Sequence, residues 1–140
     1  MGKNADPIHD RKSMNLLESP DGGMRDTVML SDACGANDLC AGLVWIAPGA
    51  MIHEDSHPFD EVYYVVRGTA DLILAGEHHV MRQGDVVHIP SPITHRVHNT
   101  SSEVFEIFWC IGGSMARLPG VWEELSKWPT VNPDEGWHLS

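Results

Sequence analysis

One short stretch of the chain concentrates side chains that bind metal ions. His53, Asp55 and His57 occur at alternate positions, and alternate side chains of a β-strand point to the same face. Glu61 follows four residues after His57, across the bend expected at Pro58. Burying two imidazoles and two carboxylates inside a sheet is costly unless a cation compensates them. A solvated sheet surface is the alternative interpretation, because charged side chains need no partner there.

A second stretch adds a further candidate ligand. Pro90 and Pro92 indicate a tight turn, after which the chain enters a strand. On that strand His95 and Asn99 share one face and His98 takes the other. If both strands belong to the same closed sheet, His95 can meet the first cluster, which favours metal binding over a solvated surface.

The elements that must position these residues are short strands. Nine β-rich runs are punctuated by glycine, proline and asparagine, and this pattern predicts an all-β sandwich or barrel. No helical pattern of useful length separates the runs, so a parallel α/β sheet is not expected. The predicted strands are residues 27–30, 41–47, 51–57, 61–67, 70–75, 78–82, 85–89, 94–99 and 104–111.

The two ends of the chain differ from this central region. Residues 1–26 are rich in Asp, Gly, Pro and Ser and predict an N-terminal arm, followed by a barrel over residues 27–118. Residues 119–140 predict a C-terminal helix and tail, in which Val121, Trp122, Leu125 and Trp128 recur at helical spacing. We expect this apolar stripe to dock on the outside of the barrel. A lid over the barrel mouth is the alternative.

The two polar stretches resemble the paired motifs of the cupin superfamily. The first motif, G-x5-H-x-H-x3-4-E-x6-G, is matched by Gly49, His57, Glu61 and Gly68, and the second, G-x5-P-x-G-x2-H-x3-N, by Gly84, Pro90, His95 and Asn99. Two positions depart from the pattern, because Asp55 replaces the first histidine and Pro92 replaces a glycine. The chain is therefore identified as a member of the small single-domain cupins. The resemblance implies a double-stranded β-helix, or jelly-roll barrel, here with a short C-terminal helix.

The resemblance also implies a ligand set. Carried over by position, the ligands are Asp55, His57, Glu61 and His95 around one divalent metal ion, with Fe, Mn, Zn and Ni as candidates. Alternatively His53 swings in from the same face and restores a third imidazole. We favour Asp55 by register, which leaves His53 as an acid–base group or a substrate contact.

Further residues are candidates for the pocket around this site. Tyr63 shares the face of Glu61 and is a candidate proton donor, with simple packing as the alternative. The other candidate pocket residues combine bulky aromatic side chains with groups that bind polar substrates: Trp45, Arg67, His88, Phe105 and Trp109.

The predicted function is that of a metal-dependent enzyme acting on a small organic metabolite. Resemblance to metal-binding cupins implies dioxygenase-type chemistry or lyase, isomerase or cyclase chemistry. Two alternatives remain open: a metal-free acid–base isomerase or dehydratase, and a non-catalytic module that binds a small molecule. The fold cannot decide between them, because one fold hosts many reactions.

Charge and hydropathy narrow the range of partners. Nine Lys and Arg residues against twenty Asp and Glu give a net charge of −11, which opposes binding to nucleic acid and to anionic membranes. The sequence has neither an apolar run long enough for a membrane helix nor the apolar core of a signal peptide near its start. We expect a cytoplasmic protein that binds a small molecule. We also expect a homodimer formed through sheet edges or exchanged N-terminal strands.

Overall fold

Two antiparallel β-sheets make up the fold in the computed structural model, which describes residues 6–135 and Trp137. One sheet has six strands in the order β1-β2-β3-β10-β5-β8, and the other has four in the order β4-β9-β6-β7. Inward side chains of both sheets form one hydrophobic core. The predicted all-β jelly-roll barrel with a short C-terminal helix is therefore confirmed. The strands are β1 Leu17–Glu18, β2 Met24–Leu30, β3 Cys40–Ile46, β4 Met51–Asp55, β5 Glu61–Arg67, β6 Thr69–Leu74, β7 Glu77–Arg82, β8 Val86–Ile89, β9 His95–His98 and β10 Phe105–Ile111.

Strand β5 shows how the sequence directs side chains into the barrel. Glu61, Tyr63 and Val65 are buried, whereas Val62 and Tyr64 between them are exposed. This alternation follows the two-residue period of a strand. Glu61 therefore points inward along a row of otherwise bulky side chains, where a carboxylate needs compensation.

The first sheet begins before residue 27. Strand β1 pairs with β2, and an isolated bridge joins Leu17 to Thr130 near the end of the chain. Leu16 packs with Trp45 in a second hydrophobic cluster on the outer side of β3, and the Arg11 guanidinium lies over the Trp45 ring. The N-terminal segment from Arg11 onward thus packs against its own barrel.

The C-terminal helix α1 spans Pro119–Leu125 and is followed by a turn whose residues Ser126 and Lys127 are exposed. Leu125 and Trp128 belong to the main core, while Trp122 is 53% exposed. None of the described helices is long and apolar enough to cross a membrane.

Candidate metal centre

Three buried side chains from separate parts of the chain converge inside the barrel. His57 follows β4, Glu61 opens β5 and His95 opens β9. Each offers one ligand atom, and these atoms all lie within 4.8 Å of one another. The distance from His95 Nε2 to Glu61 Oε1 is 3.4 Å, and the two imidazole centroids are 5.2 Å apart. The three residues can therefore contact a common atom.

The donor set suits a divalent cation. Glu61 Oε1 is buried without a hydrogen-bond partner, so its approach to His95 is an ion-pair contact that lacks hydrogen-bond geometry. The His95 ring turns its Nδ1 toward the carbonyl oxygen of Ile93 at 3.3 Å. This contact leaves Nε2 free to bind a metal, as backbone partners of metal-binding histidines commonly do. Two imidazoles and one carboxylate match catalytic zinc sites and non-haem iron sites.

The electrostatics of the cluster reflect its buried carboxylate. Burial alone would lower the pKa of His95, but the nearby Glu61 carboxylate outweighs burial, with further contributions from the Ile93 carbonyl and Asp55, so the pKa is raised. Burial, the charge of Glu61 and hydrogen bonding to it raise the pKa of Tyr63 well above its ordinary value. Tyr63 therefore keeps its proton at neutral pH. Its ring lies edge-on to His95, with centroids 6.4 Å apart.

A β-bulge determines where Asp55 lies. Ile52 pairs with Val97, but Asp55, three residues on, pairs with His95, which is only two residues from Val97. The additional residue on β4 shifts the alternation, so Asp55 lies opposite the inward-facing His95. Asp55 Oδ2 is 3.7 Å from His57 Nε2, and its side chain is 48% exposed at the mouth of the site.

The neighbouring His53 is exposed and also borders the cavity. Hydrogen bonds from Ser19 and Gly23 lower the pKa of Asp21, and the charge of His53 contributes to this effect. His53 thus lies near the turn between β1 and β2. The bulge breaks the simple alternation from which His53, Asp55 and His57 were predicted to share one face.

Replacing Asp55 and His53 in turn will distinguish the two candidates for a fourth ligand. We expect Asp55→Ala to weaken zinc binding by about 10-fold or more, whereas His53→Ala changes it by less than about 3-fold. Competition titration against a zinc chelator measures both affinities, and circular dichroism checks the fold of each variant. The reverse order of effects would assign the position to His53.

A cavity of about 350 Å³ adjoins the three convergent residues. Its size suits a small organic molecule. Carboxylates and His53 border it together with a largely apolar wall, which is formed by Met24, Val44, Ile52, Tyr63, Ile107, Trp109, Ile111, Val121, Leu125 and Trp128.

Helix α1 closes part of this cavity. Val121, Glu124 and Leu125 of the helix border it, and so does Trp128 just beyond. The expectation that the apolar stripe docks on the outside of the barrel is wrong, and the alternative of a lid over the mouth describes its position. The stripe covers the open end because the inward residues of β2, β3 and β10 leave an apolar surface there.

Two of the sequence-predicted pocket residues lie away from the cavity because of strand alternation. Trp45 lies between the inward-facing Val44 and Ile46, so it points to the outer face, where its indole N–H donates to Glu106. His88 pairs with the outward-facing Val62 and is exposed, with Nε2 2.9 Å from Asp60 Oδ2.

The other predicted pocket residues divide between the cavity and the core. Trp109 and Tyr63 border the cavity. Phe105 points inward but is fully buried near Gly68, at the opposite end of the barrel interior. Arg67 ends β5, six residues from Glu61, and is half-buried.

Asp26 on β2 is a cavity residue that was not predicted from the sequence. It is buried and borders the same cavity as Glu61 and His95. Burial raises the pKa of Asp26 to about 8, the Trp109 indole partly opposes this shift, and the charge of Glu61 adds to it. One feature of the sequence could have indicated this residue. Met24, Asp26 and Val28 alternate along the chain, so on a strand the carboxyl group shares a face with two apolar side chains.

Comparisons with known proteins agree with this architecture. The family profile described as the cupin domain matches residues 42–111, which is half of the chain. The polyketide synthase CurC of Streptomyces cyaneus is 26% identical over 125 residues, covering 82% of this chain and 81% of that protein. Protein SchB of Streptomyces halstedii is 28% identical over 92 residues, covering 65% of this chain and 67% of that protein.

Solved structures share the fold at lower sequence identity. The polyketide cyclase RemF from Streptomyces resistomycificus superposes with a TM-score of 0.66 at 16% identity, covering 79% of each chain. A predicted oxalate decarboxylase from Thermotoga maritima gives a TM-score of 0.66 at 18% identity, covering 76% of this chain and 98% of that one. The family profile and the two-sheet fold together show that this chain belongs to the cupin family.

Proposed function

We propose that this chain is a metal-dependent cupin enzyme that closes a ring in a small compound with several carbonyl groups, as in a polyketide. The observation that carries this proposal is the convergence of His57, Glu61 and His95 beside a largely apolar cavity. The similarity to polyketide synthase CurC over most of the chain supports the substrate class. The shared fold with the polyketide cyclase RemF is compatible with it.

His57, Glu61 and His95 would hold the metal ion, with Asp55 as the fourth ligand. When bound, the ion would act as a Lewis acid toward a carbonyl oxygen. The chain itself would supply the remaining requirements. The apolar walls would exclude water and hold the carbon skeleton, and His53, which borders the cavity, would accept a proton from carbon.

A dioxygenase is the second candidate function. Two histidines and one carboxylate are also the ligand set of non-haem iron oxygenases, and the cavity would hold a substrate beside the iron. This candidate requires oxygen consumption coupled to substrate loss, whereas ring closure requires none.

The test uses a diketone that can close a six-membered ring. Incubation of zinc-loaded protein with 1-phenylhexane-1,5-dione should yield 3-phenylcyclohex-2-enone and water at about 10²-fold or more above buffer containing the same zinc. Absorbance and mass spectrometry follow the product, and an oxygen electrode monitors the iron-loaded protein in parallel. His98→Ala, on the outer face of β9, is the matched control and should retain activity. A rate equal to that of buffer would overturn ring closure, and oxygen uptake with loss of the diketone would favour the dioxygenase.

We also propose that two copies of the chain pair through the outer face of the six-stranded sheet. This face exposes large apolar side chains on three adjacent strands: Val62, Tyr64, Val66, Val86 and Phe108, between 36% and 71% exposed. Tyr64 is in register with both Val86 and Phe108, so the patch is continuous. Such patches commonly mark association surfaces. Because each chain carries a net charge of −11, this apolar patch is a more favourable place for two copies to meet than the charged surface elsewhere.

Light scattering coupled to size-exclusion chromatography tests this pairing. The wild-type chain should have the mass of a dimer, and Val86→Glu should give a monomer that retains its metal. Val80→Glu, an exposed valine on the other sheet, should leave the dimer intact. A monomeric wild type, or a dimer unaffected by Val86→Glu, would contradict the proposal.

A further inference from the structure

The carboxyl group of Asp26 borders the same cavity as the candidate metal centre. Strand register places it there, because Asp26 pairs with Val44 and Val44 with Ile107, both of which line the cavity. Asp26 Oδ1 is buried without a hydrogen-bond partner among the described residues. Leaving a buried polar atom without a hydrogen bond is destabilising, so the position of Asp26 calls for an explanation such as a ligand or a catalytic role.

The Trp109 indole forms a second unsatisfied group beside Asp26. Its Nε1 is buried and also has no hydrogen-bond partner in the described part of the chain. A Cβ at Gly42 would lie 2.8 Å from Cζ2 of the Trp109 ring, so the missing side chain at Gly42 allows the ring to lie against β3. From there the indole N–H of Trp109 interacts with the Asp26 carboxyl group and partly opposes the rise of its pKa, although neither Nε1 nor Oδ1 has a hydrogen-bond partner of normal geometry. The two polar groups could therefore serve the same ligand atom.

We propose that Asp26 is a catalytic residue that donates a proton to a carbonyl oxygen of the substrate in the cavity. Like the ring closure that it would assist, this role rests on the proposed function. Asp26 and Trp109 would then both be satisfied when substrate binds, one as an acid and the other as a hydrogen-bond donor. Burial is the main cause of the raised pKa of Asp26, and it favours the protonated form that a general acid requires.

The step balances in protons and bonds. A base removes a proton from the carbon next to one carbonyl group, and that carbon forms a bond to the carbon of a second carbonyl group. The oxygen of the second carbonyl receives the proton of Asp26 and becomes a hydroxyl group. The base returns its proton through water to Asp26, and the later loss of the hydroxyl group with a neighbouring hydrogen releases one water molecule.

Asp26→Asn in the zinc-loaded protein tests the role with the diketone used above. We expect unchanged zinc content and a decrease of about 10²-fold in kcat for formation of 3-phenylcyclohex-2-enone. Asp32→Asn is the matched control, because Asp32 is exposed outside the cavity. If Asp26→Asn is as active as the wild type, the proposed role of Asp26 is overturned, but the proposed function is not. Absence of activity in the wild type overturns the proposed function together with this inference.

A measurement on the zinc-loaded wild type covers the case in which the variant does not fold. In protein labelled with ¹³C at the aspartate carboxyl carbons, one resonance should keep the chemical shift of a protonated acid at pH 7. Where Asp26→Asn folds, that resonance should be missing from its spectrum. If every aspartate resonance has the shift of a carboxylate at pH 7, Asp26 cannot be the acid.

Discussion

Replacing His95 with alanine is expected to lower the affinity for zinc by more than about 100-fold. Loss of an outer partner of a metal ligand already costs about 10- to 100-fold, and His95 would be a direct ligand. Its Nε2 lies 3.4 Å from Glu61 Oε1, and both side chains are buried. Competition titration against a chelator of known affinity measures the change, and plasma mass spectrometry counts zinc per chain.

His98→Ala provides the control for this experiment. His98 lies on the same strand, three residues from His95, and is half-buried rather than buried. Both variants remove one imidazole from β9, so a general loss of histidine cannot explain a difference between them. Equal zinc affinity of the two variants would show that the buried cluster is not the binding site.

Asp26→Asn is expected to raise the free energy of unfolding of the metal-free protein at pH 8. This difference from the wild type should disappear as the pH falls toward 4. The pKa of Asp26 is raised from 3.8 to about 8 in the folded protein. Between these values the folded state holds a proton that the unfolded state releases, so the stability of the wild type falls as the pH rises through this window. A difference of about four pKa units corresponds to about 5 kcal/mol. Asparagine does not titrate, so the stability of Asp26→Asn should not fall in this way as the pH rises.

Urea unfolding followed by tryptophan fluorescence at pH 5, 6, 7 and 8 measures this difference. The gap in the free energy of unfolding between variant and wild type should widen steadily with pH. His95 and Tyr63 titrate in both proteins, so their contributions largely cancel in the comparison. Asp32→Asn should follow the wild type throughout. A gap that stays constant with pH would mean that Asp26 has an ordinary pKa.

The barrel and its three buried ligands could be predicted because they depend on local spacing. The two-residue alternation of β5 directs Glu61 inward, and the two motifs fix His57 and His95 relative to the turns that bring them together. These features follow from short stretches of sequence. They require no knowledge of how distant strands pair.

Features that depend on pairing between distant strands were not accessible in this way. The bulge in β4 is visible only once Ile52 and Asp55 are paired with β9, and it changes which side chains share a face. Trp45 was predicted as a pocket wall, but only the pairing of β3 with β2 and β10 shows that Val44 and Ile46 face inward and that Trp45 faces outward. Helix α1 covers the cavity because the folded sheets leave an apolar opening there. Helical periodicity in the sequence predicts the helix but not this opening.

Asp26 illustrates the same limit for function. It lies in the segment that composition predicts as an arm, where a carboxylate needs no explanation. Only the pairing of β2 with β3 shows that Asp26 lies on an inward row and borders the cavity. Buried carboxyl groups with raised pKa values cluster at functional sites. Asp26 therefore became a candidate functional residue only once the fold was known.

The most direct test is a crystal structure of the protein purified without chelators, with diffraction recorded on both sides of the metal absorption edge. We predict one anomalous peak within coordination distance of His57, Glu61 and His95. Anomalous density confined to exposed histidines such as His78 and His79, with none between these three side chains, would contradict the metal centre.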